Sequence, residues 1–230
     1  MTTSAQHQKK PPSRRPRKVN GPGRPEGASV VRDEILDAAE VIFSDKGYAG
    51  TPLREIAEQA NVTQALISYY FGSKFGLFQA VFLRRSELVS KERLEALKAL
   101  ETQAAPKVSD IVRSFLEPVL SLRATFQGRA FLRLQARLHT EPSEISYSLR
   151  SEAYGGSTQR YVAVLRKALP KLNELDACWR VTFMIGTYLY AFSDSHRMDE
   201  MAPKGLYDVN DTEELINQVT RFMVGGLKAE

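Results

Sequence analysis

The sequence predicts an all-α protein, with a small three-helix head on the N-terminal side joined to a larger helical bundle. Three observations predict it. From about residue 29 onward, apolar residues recur every three or four positions, and no segment alternates as a half-buried strand would. Between Thr51 and Lys74, two short helical patterns are separated by a tight polar turn. Trp179 to Phe192 is apolar on nearly every side, which predicts a helix buried all round. A chain of 230 residues is long enough for a small domain plus a larger one. The expected divisions are a basic, disordered arm over 1–28, a head over 29–75 and a bundle over 76–230.

The head is specified residue by residue. Ile35, Leu36, Ala39, Ile42 and Phe43 form one helical stripe, and Lys46-Gly47-Tyr48 is a glycine helix stop. Leu53, Ile56, Ala57 and Ala60 give a second helix an apolar face. Thr51 is expected to accept its free amides, and Pro52 sits where a missing N–H costs nothing. Arg54 stands where a full capping box would place an acid. Asn61 tolerates a left-handed helix end, Val62 fills the elbow and Thr63 caps the next helix. That helix, Gln64 to Phe71, carries apolar Leu66, Ile67 and Phe71 beside outward Gln64, Ser68, Tyr69 and Tyr70. This is the layout of a helix-turn-helix, whose second helix lies in the DNA major groove while its flanks hold phosphates.

The remaining elements read as helix throughout. Residues 74–100 form one long helix with Leu77, Phe78, Val81, Phe82, Leu88, Leu94, Leu97 and Leu100 on or near its buried side. After Pro106, a helix from about Val108 carries Ile111, Phe115, Val119 and Leu122, kinked by Pro118. Phe131 to Leu138 is a further apolar run. A helix over about 143–169, with Gly155-Gly156 as a bend, ends at Pro170. The last helix opens with Asp211 and Glu214 as a capping box and stacks Leu215, Ile216, Val219, Phe222 and Met223.

The residues T-x-L-R-E-I-A, A-N-V and A-L-I-S-Y-Y-F-G-S-K within 51–74 resemble the N-terminal DNA-binding domain of the tetracycline-repressor (TetR) family of transcriptional regulators. Phe75-Gly76 departs from the acidic or polar residues that the family more usually carries after the lysine. The resemblance implies a DNA role for each matching position. Gln64 and Ser68 are expected to bond base edges, Ala65 to meet a thymine methyl, and Arg54 to reach a guanine or a phosphate. Thr63, Tyr69, Tyr70 and Lys74 are expected to clamp the DNA backbone, with a core role the rival for Tyr70. The alternative is a helical interaction protein whose hairpin has no sequence-specific DNA role.

A helix apolar all round needs more cover than its own bundle offers, and a second copy would supply it through a two-fold four-helix interface. TetR-like proteins dimerise this way, so Phe183, Tyr190, Leu215, Val219 and Phe222 are the expected interface and a near-palindromic DNA operator the expected target. In such proteins the C-terminal bundle also encloses a small-molecule effector. The expected lining is Phe115, Val119, Phe131, Leu134, Met184 and Tyr188, with Arg123, Arg133, Gln135 and Arg137 as polar anchors. The end of the chain resembles a TetR subset that includes regulators of fatty-acid metabolism, which implies an apolar effector of acyl type.

Charge is unevenly distributed. Residues 1–32 carry eight basic side chains against Glu26 alone, a net +7; the other 198 carry 24 basic and 26 acidic, a net −2. The arm is rich in Pro and Gly, with basic groups suited to phosphates or a narrow minor groove; raising solubility is the alternative. Cys178 is the sole cysteine, which excludes an intramolecular disulfide, and beside Trp179 it is expected to be a packed core thiol. No uninterrupted apolar stretch of about 18 residues exists, so no membrane association and a cytoplasmic location are expected. The chain has no glycine-rich phosphate loop, and His7, His139 and His196 are scattered, so neither an enzyme, a metal site nor a cofactor is expected.

Overall fold

The computed structural model describes residues 26–194, 196–208 and 210–229, and every regular element among them is helical. The head comprises α1 (Glu26–Lys46), α2 (Leu53–Gln59) and α3 (Gln64–Phe71), and α4 (Lys74–Glu101) leads out of it. Then come α5 (Val108–Leu116), a 3-10 turn (Glu117–Val119), α6 (Leu120–Arg123), α7 (Phe126–Leu138) and α8 (Ser143–Ala168). The long α9 (Glu174–Phe192), the short α10 (Arg197–Met201) and α11 (Thr212–Lys228) complete the chain. Helix α1 opens at Glu26, inside the stretch expected as an arm; the basic side chains of 1–25 lie outside the described residues.

Local signals set the element ends. Helix α1 stops at Gly47, whose φ of +71° suits glycine and whose N–H bonds to the Phe43 carbonyl at 2.9 Å. Thr51 does not cap α2. It is buried, and its hydroxyl donates backward to the Gly47 carbonyl at 2.7 Å, tying the end of α1 to the start of α2. Pro118 breaks its helix instead of kinking it, because it removes a donor and crowds the preceding turn. Helix α7 begins well before the expected run, at Phe126, with Thr125 Oγ1 accepting the Gly128 N–H at 3.0 Å. Glycine is required at 128: an added Cβ would lie 2.0 Å from the Leu122 carbonyl oxygen. Helix α8 runs through Gly155-Gly156 without interruption.

Two cores result. The head core gathers Ile35, Phe43, Ile56, Ile67 and Phe78, and extends without a break to Phe131, Leu134 and Leu138 of α7 and Leu149 of α8. The bundle therefore packs directly beneath the head. Glu40 of α1 is fully buried and accepts from Arg84 Nη2 at 2.6 Å and Arg85 Nε at 2.7 Å, a clamp between α1 and α4. A lone carboxylate there would be costly, and the two arginines offset that cost. The second core joins α4, α5, α8, α9 and α11 through Leu97, Val112, Phe115, Tyr161, Tyr188 and Met223.

Helix α9 is not buried all round within the chain. Ala177, Val181, Met184, Tyr188 and Phe192 face the core at helical spacing, while Cys178, Trp179, Phe183 and Tyr190 are exposed. The expected core thiol is thus a surface thiol. Leu88 of α4 is exposed as well. Among the described residues, no helix is long and apolar enough to cross a membrane.

Candidate functional site

Helix α3 is held from one side and open on the other. Asn61 takes the left-handed backbone (φ +53°) that turns the chain, and Thr63 Oγ1 accepts the Leu66 N–H at 3.3 Å. Ile67 is fully buried and pins the helix to the head core. The opposite face presents Gln64, Ala65, Ser68 and Tyr69, all exposed, Tyr69 to 80%. A tyrosine so exposed contributes little to the protein's own core. Tyr70 is half-buried, edge-on to Tyr69 with ring centroids 5.4 Å apart, so it shares in the head core as well as the outer face.

The flanking cations are partly engaged. Arg54 Nε donates to Glu58 on the same helix at 2.7 Å, with both side chains largely in solvent. Such a pair is weak and exchangeable for a phosphate. Lys74 Nζ donates to the Ala49 carbonyl at 3.3 Å and lies 4.8 Å from the Tyr48 ring centroid. Desolvation holds its ammonium below the usual lysine range, with Glu141 acting in the opposite sense. Ser73, not Lys74, manages the start of α4, its hydroxyl accepting the Gly76 N–H at 3.0 Å.

In the bundle, a cleft of about 520 Å³ opens between α5, α7, α8 and α9. Of the expected lining, Phe115, Gln135 and Tyr188 are found there, joined by Tyr154 and Arg150 of α8. Gln135 forms a buried bridge: Tyr188 Oη donates to its Oε1, and its Nε2 donates to Tyr154 Oη. Burial pushes the Tyr188 hydroxyl up to about 12. The other expected residues lie elsewhere. Phe131 and Leu134 belong to the seam beneath the head, because α7 turns that face toward α1. Val119 is packed in the bundle core, and Met184 lies under a separate surface groove. Arg123 and Arg133 both pair with Asp194, at 3.4 and 3.5 Å. Arg137 is exposed and donates to the Asp45 carbonyl of α1 at 2.7 Å.

Arg93 of α4 was not among the expected anchors. It lies behind the cleft, its guanidinium carbon 3.7 Å from the Phe115 ring centroid and 5.0 Å from that of Tyr188. The signal is its place in the apolar stripe Val89, Arg93, Leu97, Leu100, where a charge is out of pattern.

The outer faces of α9 and α11 carry Phe183 (64% exposed), Tyr190 (59%) and Phe222 (70%). Phe183 and Phe222 line a groove of about 620 Å³, and Trp179 stacks on Phe183 with centroids 5.7 Å apart. Val219 does not share this face. It is 7% exposed and packs in the protomer's own bundle core, three positions round the helix from Phe222. Leu215 is half-buried against the same core.

Comparison with known proteins agrees with this geometry. Residues 35–81 match the bacterial regulatory proteins of the tetR family, and residues 113–226 match the tetracyclin repressor-like C-terminal domain. The chain is 40% identical over 74 residues to the probable HTH-type transcriptional regulator YttP of Bacillus subtilis, a match covering 32% of this chain and 36% of YttP. It is 41% identical over 49 residues to IcaR of Staphylococcus aureus, the HTH-type negative transcriptional regulator of the biofilm operon icaADBC, covering 21% of this chain and 26% of IcaR. The matched stretch thus spans about a third or less of each relative. Among solved structures, FadR of Bacillus subtilis in complex with stearoyl-CoA superposes with a TM-score of 0.58 at 19% identity, over 84% of this chain and 98% of FadR. PfmR of Thermus thermophilus, a TetR family transcriptional regulator, gives 0.54 at 16%, over 85% and 97%. At these identities the structural likeness speaks to the fold. With its helix-turn-helix head and its C-terminal bundle each matched, the chain belongs to the tetR family of bacterial regulatory proteins.

Proposed function

We propose that this protein is a transcriptional repressor that binds a near-palindromic operator as a homodimer and is released by a small, largely apolar effector. The observation that carries the reading is the outer face of α3. A helix capped by Thr63 and pinned by Ile67 leaves Gln64, Ala65 and Ser68 exposed among the described residues, and Tyr69 exposed with only its neighbour Tyr70 against its ring. Gln64 and Ser68 suit base edges, Ala65 a thymine methyl, and Thr63, Tyr69 and Tyr70 the phosphate backbone. Arg54 and Lys74 flank them as exchangeable cations.

The exposed aromatic side chains of α9 and α11, with Phe183 and Phe222 at one groove and Trp179 stacked on Phe183, support dimerisation, since clustered exposed apolar groups commonly mark an interaction site. A two-fold pairing there would set two α3 helices against two half-sites about one turn of DNA apart. IcaR being a negative regulator supports repression, and the stearoyl-CoA complex of FadR supports an acyl-type effector. The cleft at Phe115, Gln135 and Tyr188 is where the effector would enter. A gel-shift with genomic fragments at several salt concentrations tests the reading. The expected result is selective, salt-sensitive retardation of a few fragments. Uniform weak binding of all fragments, or none, removes the operator-binding role.

A further inference from the structure

The bundle cleft carries a charge pattern that its apolar walls do not require. None of its lining residues is acidic. Arg150 stands at the solvent side, its Nη1 3.1 Å from His139 Nδ1 and its guanidinium carbon 5.0 Å from the Tyr147 ring centroid. Arg93 lies behind the inner wall at 3% exposure. Its Nε donates to the Phe115 carbonyl at 2.9 Å, while its Nη2 is buried and makes no hydrogen bond among the described residues. Neither arginine has an Asp or Glu ion-pair partner among the described residues.

A guanidinium taken out of water without an anion is costly, and the faces of Phe115 and Tyr188 offset only part of that cost. An anion entering the cleft would be attracted strongly, because the intervening protein screens poorly. We propose that the cleft selects an organic anion with an apolar body, and that Arg93 stabilises its negative group from within the wall while Arg150 assists from the lip. This rests on the reading of the bundle as the sensing part of the protein, and it names the ligand's chemical class. A cavity of about 520 Å³ is within the range that holds a drug-sized molecule.

Two fluorescent probes separate charge from apolar bulk. Anilinonaphthalene sulfonate carries one sulfonate, and N-phenyl-1-naphthylamine has the same ring system without it. Titrated into the full chain with no DNA present, the sulfonate is expected to bind roughly tenfold more tightly. Arg93→Met should erase most of that preference and keep the neutral probe bound, since the charge is removed while an apolar side chain of similar length fills the wall. Thr158→Trp, which fills the cleft, should remove both probes and so exclude the groove on α9 and α11. Equal affinity of the two probes for the unmodified protein overturns the proposal, as does a preference that survives Arg93→Met or probe binding that survives Thr158→Trp.

Should Arg93→Met not fold, two measurements still decide. Dodecanoate must displace the sulfonate probe where methyl dodecanoate does not, and Arg150→Gln must weaken the sulfonate by a few-fold while sparing the neutral probe. Failure of either overturns the proposal. Because every arm is read without DNA, a chain that binds no operator can still pass it, and a chain that binds its operator well can still fail it.

Discussion

Glu141, at the end of the turn after α7, accepts the backbone N–H of Tyr48 at 2.8 Å across 93 residues of sequence. This carboxylate fastens the bundle to the exit of α1, beside the Arg137 bond to the Asp45 carbonyl and the 3.6 Å pair of Arg133 with Asp45. Residue 47 is constrained chiefly by its φ of +71°, and an added Cβ would also sit 2.9 Å from Glu141 Oε1, so the carboxylate would have to shift. Removing the acceptor leaves a partly buried N–H unsatisfied, which costs about 1–3 kcal/mol. Glu141→Ala is therefore expected to lower stability by that order in thermal or urea unfolding, with the helical content of the native state retained. An unchanged melting temperature would show that solvent replaces the bond freely and that the latch contributes nothing.

Gln64 occupies the first turn of α3, exposed and without a side-chain hydrogen bond among the described residues. Gln64→Ala should relax the preference at one operator position per half-site and weaken binding by about 1–3 kcal/mol. The measurement is a binding profile over single-base operator variants. A profile that keeps its shape while weakening evenly would move Gln64 to the backbone-contacting set.

Features of the head that depend on near neighbours were legible in the sequence. Gly47, Asn61 and Thr63 each act through residues one to four positions away, and each behaves as its type dictates. Thr51 is ambiguous in the sequence because its hydroxyl can serve the helix ahead or the one behind, and burial against α1 selects the latter. Periodicity marks Phe131, Leu134 and Val219 as residues of a buried face, but the expected neighbours, an effector for the first two and a second copy for Val219, are not the ones they meet. The first two pack under the head, and Val219 packs on its own protomer's core. Arg93 is not legible as an anchor from its own helix alone, because its partners, Phe115, Tyr154 and Tyr188, come from three other helices.

His139 introduces a dependence on pH. Burial, with the adjacent Arg150 charge, holds its imidazole down to about 4 from an ordinary 6.5. The folded protein therefore keeps the ring neutral where the unfolded chain protonates it. Stability from this source is intact above about pH 6.5 and is lost as pH falls toward 4, because only the unfolded state gains the proton there. The residue is more than a third exposed, so solvent screening keeps the loss small. Melting temperatures of the unmodified protein and of His139→Gln, compared between pH 7 and pH 4, should diverge, with the glutamine variant losing less. Parallel curves would assign the acid sensitivity to other groups.

The dimer can be tested at Phe222 with an outcome that its neighbour Val219 cannot give. Val219→Glu would place a charge inside the protomer core and unfold the chain whatever its oligomeric state, since that side chain is buried against α5 and α9. Phe222 is 70% exposed on the protomer, so a glutamate there meets solvent in a monomer and costs the fold little. In a two-fold interface the same glutamate would be buried twice, facing the apolar groove shared with Phe183, at several kcal/mol for each unpaired charge. Phe222→Glu is therefore expected to give a folded monomer by sedimentation, with unchanged helical content. Having lost its second recognition helix, that monomer should retard a single half-site weakly and show no added affinity for the paired sites. A folded dimer with undiminished operator affinity would place Phe222 outside the interface and leave the exposed face of α9 and α11 to some other partner.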